Sequence, residues 1–326
     1  MLIAGSDDGV YRLPDDDSPG DATAIQTLES GRVMRVRTVD AFEGVFAATT
    51  TGLFHSTDGE SWVDLGVPSE QVYAVGATPE GRLYAGTRPA HVYEGTFEAD
   101  SGASGAADLE SVEWRDCVGF QALPSREEWR LPRHEDLAQV RDVHFDPADR
   151  GRIVAGVEVG GVHVSDDGGA TWSERRTGVD DDVHELRVVG PGDYVAATGF
   201  CLFRSTDGGD SWTRLDEGFD QRYFRSVCAV GDVVYAGGAL AHSSTWDDPD
   251  ADPALFAIHG NEAEPVAFPR SDETVTGMTA VGADLVAATH AGSVVRYSGG
   301  EWNSVGTLPV SDELTGRYTP LVAYER

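Results

Sequence analysis

No lysine occurs anywhere in the 326 residues: all 24 cationic side chains are arginine, set against 56 Asp plus Glu for a formal net charge of -32. Charge of that sign excludes phosphate backbones and anionic lipid surfaces as partners, so neither nucleic acid nor membrane binding is expected. The acids are spread among apolar segments along the whole chain, so they form no detachable acidic arm. A compact chain so charged repels itself in dilute buffer. In molar salt the Debye length falls to about 3 Å and that repulsion is screened. A carboxylate surface without lysine stems therefore points to a salt-filled cytoplasm, and the charge alone carries no further information about a partner.

Cysteine is scarce as well. Cys117, Cys201 and Cys228 are odd in number and lack C-x-x-C spacing, which excludes a disulfide frame and a Cys-based zinc site. Cys228 falls in an alternating strand pattern and reads as a small buried hydrophobe. No apolar run approaches the roughly 20 residues of a membrane span. Met1-Leu2-Ile3-Ala4-Gly5 has no charged region leading into an apolar core, so a cytoplasmic location is expected. No amphipathic helical period is evident, and no glycine-rich loop follows a strand to open a helix, which sets nucleotide enzymes aside. No cofactor and no metal are expected.

What is present is a repeat. Gly52 to Trp62 (GLFHSTDGESW), Gly161 to Trp172 (GVHVSDDGGATW) and Cys201 to Trp212 (CLFRSTDGGDSW) align directly. Ser165 and Ser205 stand about 40 residues apart, close to one propeller blade. Before each lies an apolar run ending in two small residues: Val45-Phe46-Ala47-Ala48, Ile153-Val154-Ala155-Gly156 and Tyr194-Val195-Ala196-Ala197. The same run recurs as Leu2-Ile3-Ala4-Gly5, Leu83-Tyr84-Ala85-Gly86, Val234-Tyr235-Ala236-Gly237 and Leu285-Val286-Ala287-Ala288, giving seven units. Each unit reads as four short strands, a to d from the inside out, with turn residues between. The expected fold is all-β: one seven-bladed propeller over residues 1–326. The first unit lacks an inner strand, and Tyr318 to Tyr324 resembles one, so segment 315–326 is expected to complete blade 1 and close the ring. Closure hides two sheet edges and leaves no room for a signal peptide.

The aligned boxes have a mechanism. Ser56 and Asp58, Ser165 and Asp167, and Ser205 and Asp207 would accept from turn amides, glycine supplies positive φ, and Trp62, Trp172 and Trp212 would fold back over neighbouring strands. The motif resembles the Asp-box (BNR) repeat of sialidases, sortilin-type receptors, xyloglucanases and the photosystem II assembly-factor family, here in a haloarchaeal type. The first box is one residue short of the pattern. What the resemblance implies is architecture: its boxes are structural, and its relatives differ in chemistry.

In such blades the b–c and d–a loops share one face, and the boxes lie on the other. A ligand is expected at the box-free channel mouth. Two insertions reach that face: Gly119 to Gln139, carrying Trp129, Arg130, Arg133 and His134, and Ala239 to Ala254, carrying His242, Trp246 and the Asp247 to Asp252 acids. A third, Ala99 to Glu110, replaces a c–d turn on the box face. Arginines gather near the mouth: Arg32, Arg35, Arg88, Arg141, Arg222, Arg225, Arg270 and Arg317. The bland reading is ion pairing with abundant acids. The sharper one is an anion or sugar-acid site using bidentate guanidinium forks. Trp129 and Trp246 are either stacking platforms for a sugar or pins for their loops.

Enzyme chemistry finds little support. Arg12-Leu13-Pro14 resembles a sialidase arginine motif, yet its repeat register places it on a c strand leading to the box face. Glycosidase carboxylate pairs are not diagnostic among 56 acids. The Asp247 to Asp252 run lacks the glycine and closing glutamate of a calcium loop. His91, His242 and His290 come from separate blades, too far apart to share a metal without long reaches. The expected function is therefore a non-enzymatic, monomeric binding or assembly propeller. Its channel face would hold a protein partner or a small anionic or sugar ligand. A carbohydrate-active hydrolase or lectin-like binder at the same face is the alternative.

Overall fold

Short runs of β-branched and small residues, broken every few positions by Gly, Asp or Ser, have the length to pair with the next run and no more. In the computed structural model, which describes residues 1–13, 22–97, 112–312 and 317–325, such runs form seven antiparallel meanders around one channel. The innermost strands are Val33–Val39, Val72–Ala77, Gln139–Phe145, Val183–Gly190, Tyr223–Val230 and Val275–Val281 in blades 2 to 7. Blade 1 takes its inner strand, Leu321–Ala323, from the C-terminus. There Leu2 lies opposite Ala323, Ile3 opposite Val322 and Ala4 opposite Leu321. The seven-bladed ring and its closure are as the repeat implies.

The core is a set of layers between blades. Leu2, Ala4, Tyr11 and Leu13 of blade 1 pack on Val286, Ala288 and Val294 of blade 7, so the closing interface is filled like the others. The small pair that ends each b strand has a packing reason. A Cβ added at Gly5 would come within 2.5 Å of Val33, and one at Gly86 within 2.6 Å of Val140, both on the next blade's inner strand. One feature has no sequence signal: Ala22–Thr23 leaves blade 1 and pairs in parallel with Gly306 and Thr307 on the outer edge of blade 7. This adds a second tie across the same joint. The Ala99 to Glu110 insertion lies outside the described residues.

The Ser-x-Asp hairpins are built as their chemistry suggests. The Ser205 hydroxyl donates to Asp207 Oδ1 at 2.8 Å and accepts from the Gly209 amide at 2.8 Å, where φ is 90°. Ser211 donates to Asp207 through its amide (2.9 Å) and its hydroxyl (2.6 Å). Ser165 with Asp167 and Ser56 with Asp58 repeat the pattern. The indole of Trp212 donates to the Arg175 carbonyl, that of Trp172 to Gly169 and that of Trp62 to Thr27 Oγ1. Hydrogen bonds from Ser211 and then Ser205 hold the Asp207 carboxyl down at about 2. A carboxyl lowered in the folded state stabilises fully above its ordinary value near 4, and that contribution is lost as pH falls through the folded value. Asp207→Asn is therefore expected to be less stable than the parent at pH 6, the gap closing as pH approaches 2. Denaturant melts across that range check this, and a pH-independent gap would contradict it.

Candidate anion-binding site

The channel mouth is shaped by a repeated irregularity. In six inner strands the pairing with the b strand skips one residue: Met34, Tyr73, Arg141, His184, Arg225 and Thr276 have no opposite number. An extra residue of this kind bends the strand and re-aims its side chain. Repeated at one level around the ring, it turns Tyr73, Arg141 and Arg225 toward the box-free end.

Directly after the bulges, Arg35, Asp142 and Glu185 meet across the channel. Arg35 reaches Asp142 Oδ2 and Glu185 Oε1, both at 2.7 Å, and Arg37 reaches Asp142 Oδ1 at 2.7 Å. Leu186 and Val227 donate their amides to Asp142 and Glu185 at 2.9 and 3.1 Å. Arg37 also donates to the Val75 and Val143 carbonyls. The girdle thus joins blades 2 to 6. Burial works to raise the Asp142 carboxyl, but Arg35, His144 and Arg37 outweigh it and hold it well below the usual range. Beyond the girdle, on the hairpin face, a cavity of about 660 Å³ is lined by Val39, Ala77, Phe145, Arg187 and Met278, among others.

At the mouth itself, Tyr318 from the segment before the closing strand inserts among three guanidinium groups. Arg225 lies 3.7 Å from its ring centroid, Arg141 4.8 Å and Arg32 5.6 Å. Arg141 also faces Tyr73 at 5.8 Å, and Arg88 faces the same ring at 5.6 Å. The charges are not equally compensated. Arg32 pairs with Asp7 at 3.0 Å. Arg141 donates to the His184 carbonyl and stands 3.6 Å from Glu158, but its Nη1 is buried with no partner. Arg225 is 3% exposed, makes no ion pair with any described residue, and buries Nε without a hydrogen bond. Burial pulls its guanidinium down to about 10, with Arg141 repelling it and Tyr223 and Glu158 offsetting part of the shift. Glu158 is answered on the same level: burial favours its neutral form, yet Arg141, His184, Arg225 and Arg133 hold it below the usual range.

The residues singled out from the sequence divide into three groups. Arg141, Arg225 and Arg88 meet at the mouth, with Arg35 one level deeper. Arg222 turns outward to Asp216 at 3.4 Å and the Gln221 carbonyl, Arg130 and Arg270 are exposed, and Arg317 pairs with Asp247 at 2.7 Å. Trp129 and Trp246 are 3% and 2% exposed and lie under their own loops. Trp129 donates to Ser125 and packs on Phe120 and His163; Trp246 donates to the Ala241 carbonyl and packs on Tyr223 and His290. His242 is exposed beside Ser244, His91 meets Asp116, and His290 accepts from the Thr274 amide. Arg12 pairs with Glu60 of a hairpin, at the end away from the mouth. Sequence reasoning did not single out Tyr73, Glu158, Asp182, His184 or Tyr223 for this site. Tyr318 it placed in the closing segment alone.

No family model and no curated protein matches the chain. Solved structures do. The structure "YCF48 bound to D1 peptide" gives a TM-score of 0.57 at 14% identity, over 90% of this chain and 88% of that one. The WD40 β-propeller domain of Doa1 gives 0.58 at 14% identity, over 93% and 87%. The chain is a β-propeller. A GH74 enzyme from Niastella koreensis gives 0.60 at 13% identity, over 83% of this chain and 45% of its own, and an ancestral GH74 enzyme is covered over only 39%. The chain thus spans less than half the length of those GH74 chains. At such identities the likeness is one of fold alone. No helix among the described residues is long and apolar enough to cross a membrane.

Proposed function

We propose that this propeller is a non-enzymatic binding protein that holds an anionic group, on a protein partner or on a small molecule, between Arg141 and Arg225. The observation that carries the reading is Arg225: a buried guanidinium that makes no ion pair with any described residue and buries Nε without a hydrogen bond, in a chain where acids outnumber arginines more than two to one. Leaving a buried charge unpaired costs several kcal/mol, and a ligand carboxylate or phosphate would relieve that cost with bidentate geometry. The peptide bound by YCF48, a protein of similar fold, fits a protein partner. We read the Ser-x-Asp hairpins as Asp-box repeats, and the lysine-free acidic surface as adaptation to a salt-filled cytoplasm. A buried site suits that setting, because salt screens it far less than the surface.

A sugar hydrolase at the same mouth has less support. Glu158 and Asp182 are both held below the ordinary carboxyl range against the pull of burial, the reverse of what a general acid requires. Asp180 is raised, by burial first, but its Oδ1 accepts the Asp182 amide at 3.1 Å. The test is calorimetric titration in molar potassium chloride with citrate and with an acidic peptide ending in a free carboxylate. At least one should bind, and Arg225→Gln should weaken it by about thirtyfold or more, the equivalent of 2 kcal/mol or above for truncating a buried charge pair. Binding by neither probe, or equal binding by Arg225→Gln and Arg141→Gln, would refute the reading.

A further inference from the structure

Beside the arginines, three acidic and imidazole side chains converge in a way that the anion reading does not use. One donor atom from each of Glu158, Asp182 and His184 lies within 4.8 Å of the others. Glu158 ends the b strand of blade 4, Asp182 precedes the inner strand of blade 5, and His184 is that strand's bulged residue. His184 is fully buried, and its Nδ1 is 2.8 Å from the Phe224 carbonyl. A neutral ring that donates there carries its lone pair on Nε2. That Nε2 is buried without a hydrogen-bond partner, and so is Asp182 Oδ1, 3.5 Å away. Two donors bound at about 2.0 Å to one tetrahedral zinc stand about 3.3 Å apart, so this spacing is already that of a ligand pair. A backbone carbonyl behind the imidazole is the usual orienting partner of a metal-binding histidine.

We propose that Glu158, Asp182 and His184 form a divalent transition-metal site of the zinc class. One imidazole nitrogen with two carboxylates suits zinc or manganese over calcium, which takes more oxygens in a wider shell. In the absence of metal the nearest cation is Arg133, whose Nη2 lies 2.5 Å from Glu158 Oε1 and 3.5 Å from Asp182 Oδ1. Gln139 donates to the other Glu158 oxygen at 2.8 Å. Arg133 is half exposed on the inserted loop before blade 4. It can therefore withdraw, and it competes with the metal for the same two carboxylates.

That competition makes the site testable in two directions. Zinc alone, titrated into the full chain in molar potassium chloride to screen the acidic surface, should bind once per chain. His184→Gln and Asp182→Asn should each weaken it by at least the roughly 10- to 100-fold that losing a mere outer-shell partner costs, while Arg133→Gln should tighten it. Cobalt in place of zinc should give a visible absorption band that His184→Gln removes. Circular dichroism checks that each variant is folded. The site is overturned if folded parent protein binds no zinc, in which case His184 and Asp182 are an ion pair. It is equally overturned if His184→Gln and Arg133→Gln bind as the parent does, which would place the metal on surface acids. Neither outcome bears on anion binding by Arg141 and Arg225, which is read without metal.

Discussion

Asp142→Ala is expected to lower the free energy of unfolding by about 3–5 kcal/mol, the cost of breaking a buried ion pair by removing one partner. Asp142 is fully buried and carries two arginines at once, Arg35 on one oxygen and Arg37 on the other, while the Leu186 amide also donates to it. Its loss leaves Arg37 without an ion-pair partner among the described residues, and leaves Arg35 only Glu185. Because the girdle spans blades 2 to 6, the loss loosens the centre of the ring and not one blade. For a chain of this size such a change lowers the melting temperature by roughly 5 °C. Asp210→Ala is the control: Asp210 itself is 70% exposed in its pair with Arg175, so its effect should stay near or below about 1 kcal/mol. Thermal and denaturant melts in molar salt decide the matter, and a loss under 1 kcal/mol for Asp142→Ala would contradict the girdle's role.

The second large effect concerns salt. Several arginines at and near the surface are committed to ion pairs, such as Arg150 with Glu80, Arg152 with Asp166 and Arg176 with Glu128. Acids nevertheless outnumber arginines by 56 to 24, which gives the net charge of -32. At about 0.01 M ionic strength the Debye length is roughly 30 Å, so charges repel across the whole molecule. Self-repulsion then acts against the compact state. Dialysis from molar potassium chloride into dilute buffer is expected to unfold the chain or to lower its melting temperature by more than the roughly 5 °C expected for the girdle variant. The far-ultraviolet circular dichroism signal should return on restoring salt. An unchanged melting temperature in dilute buffer would refute the adaptation to salt.

How much of this was legible in the sequence depends on whether the signal is local. The b-strand runs that end in Ala-Gly or Ala-Ala repeat because each packs on the next blade, so blade number and ring closure could be counted from them. The Ser-x-Asp hairpins were legible for the same reason, since the Ser and Asp partners lie within a few residues. The Ala22–Thr23 strand was not: two residues pairing in parallel across a joint leave no periodic trace. Nor were the bulges. Whether Arg141, His184 or Arg225 is the skipped residue depends on the register between two strands, which alternation alone does not reveal. The arginine count near the mouth was visible, but not its division. Arg222 and Arg317 find carboxylates, whereas Arg225 finds none among the described residues. Trp129 and Trp246 were visible as loop aromatics, and only packing against Phe120 and Tyr223 makes them buried pins.

The central claim, that the mouth holds an anion at Arg225 and Arg141, is tested most directly by crystals soaked in bromide. An anomalous peak is expected within hydrogen-bonding distance of the Arg225 guanidinium, facing Arg141, and it should vanish in Arg225→Gln. Bromide found only beside exposed arginines such as Arg130 and Arg270, with none at Arg225, would contradict it.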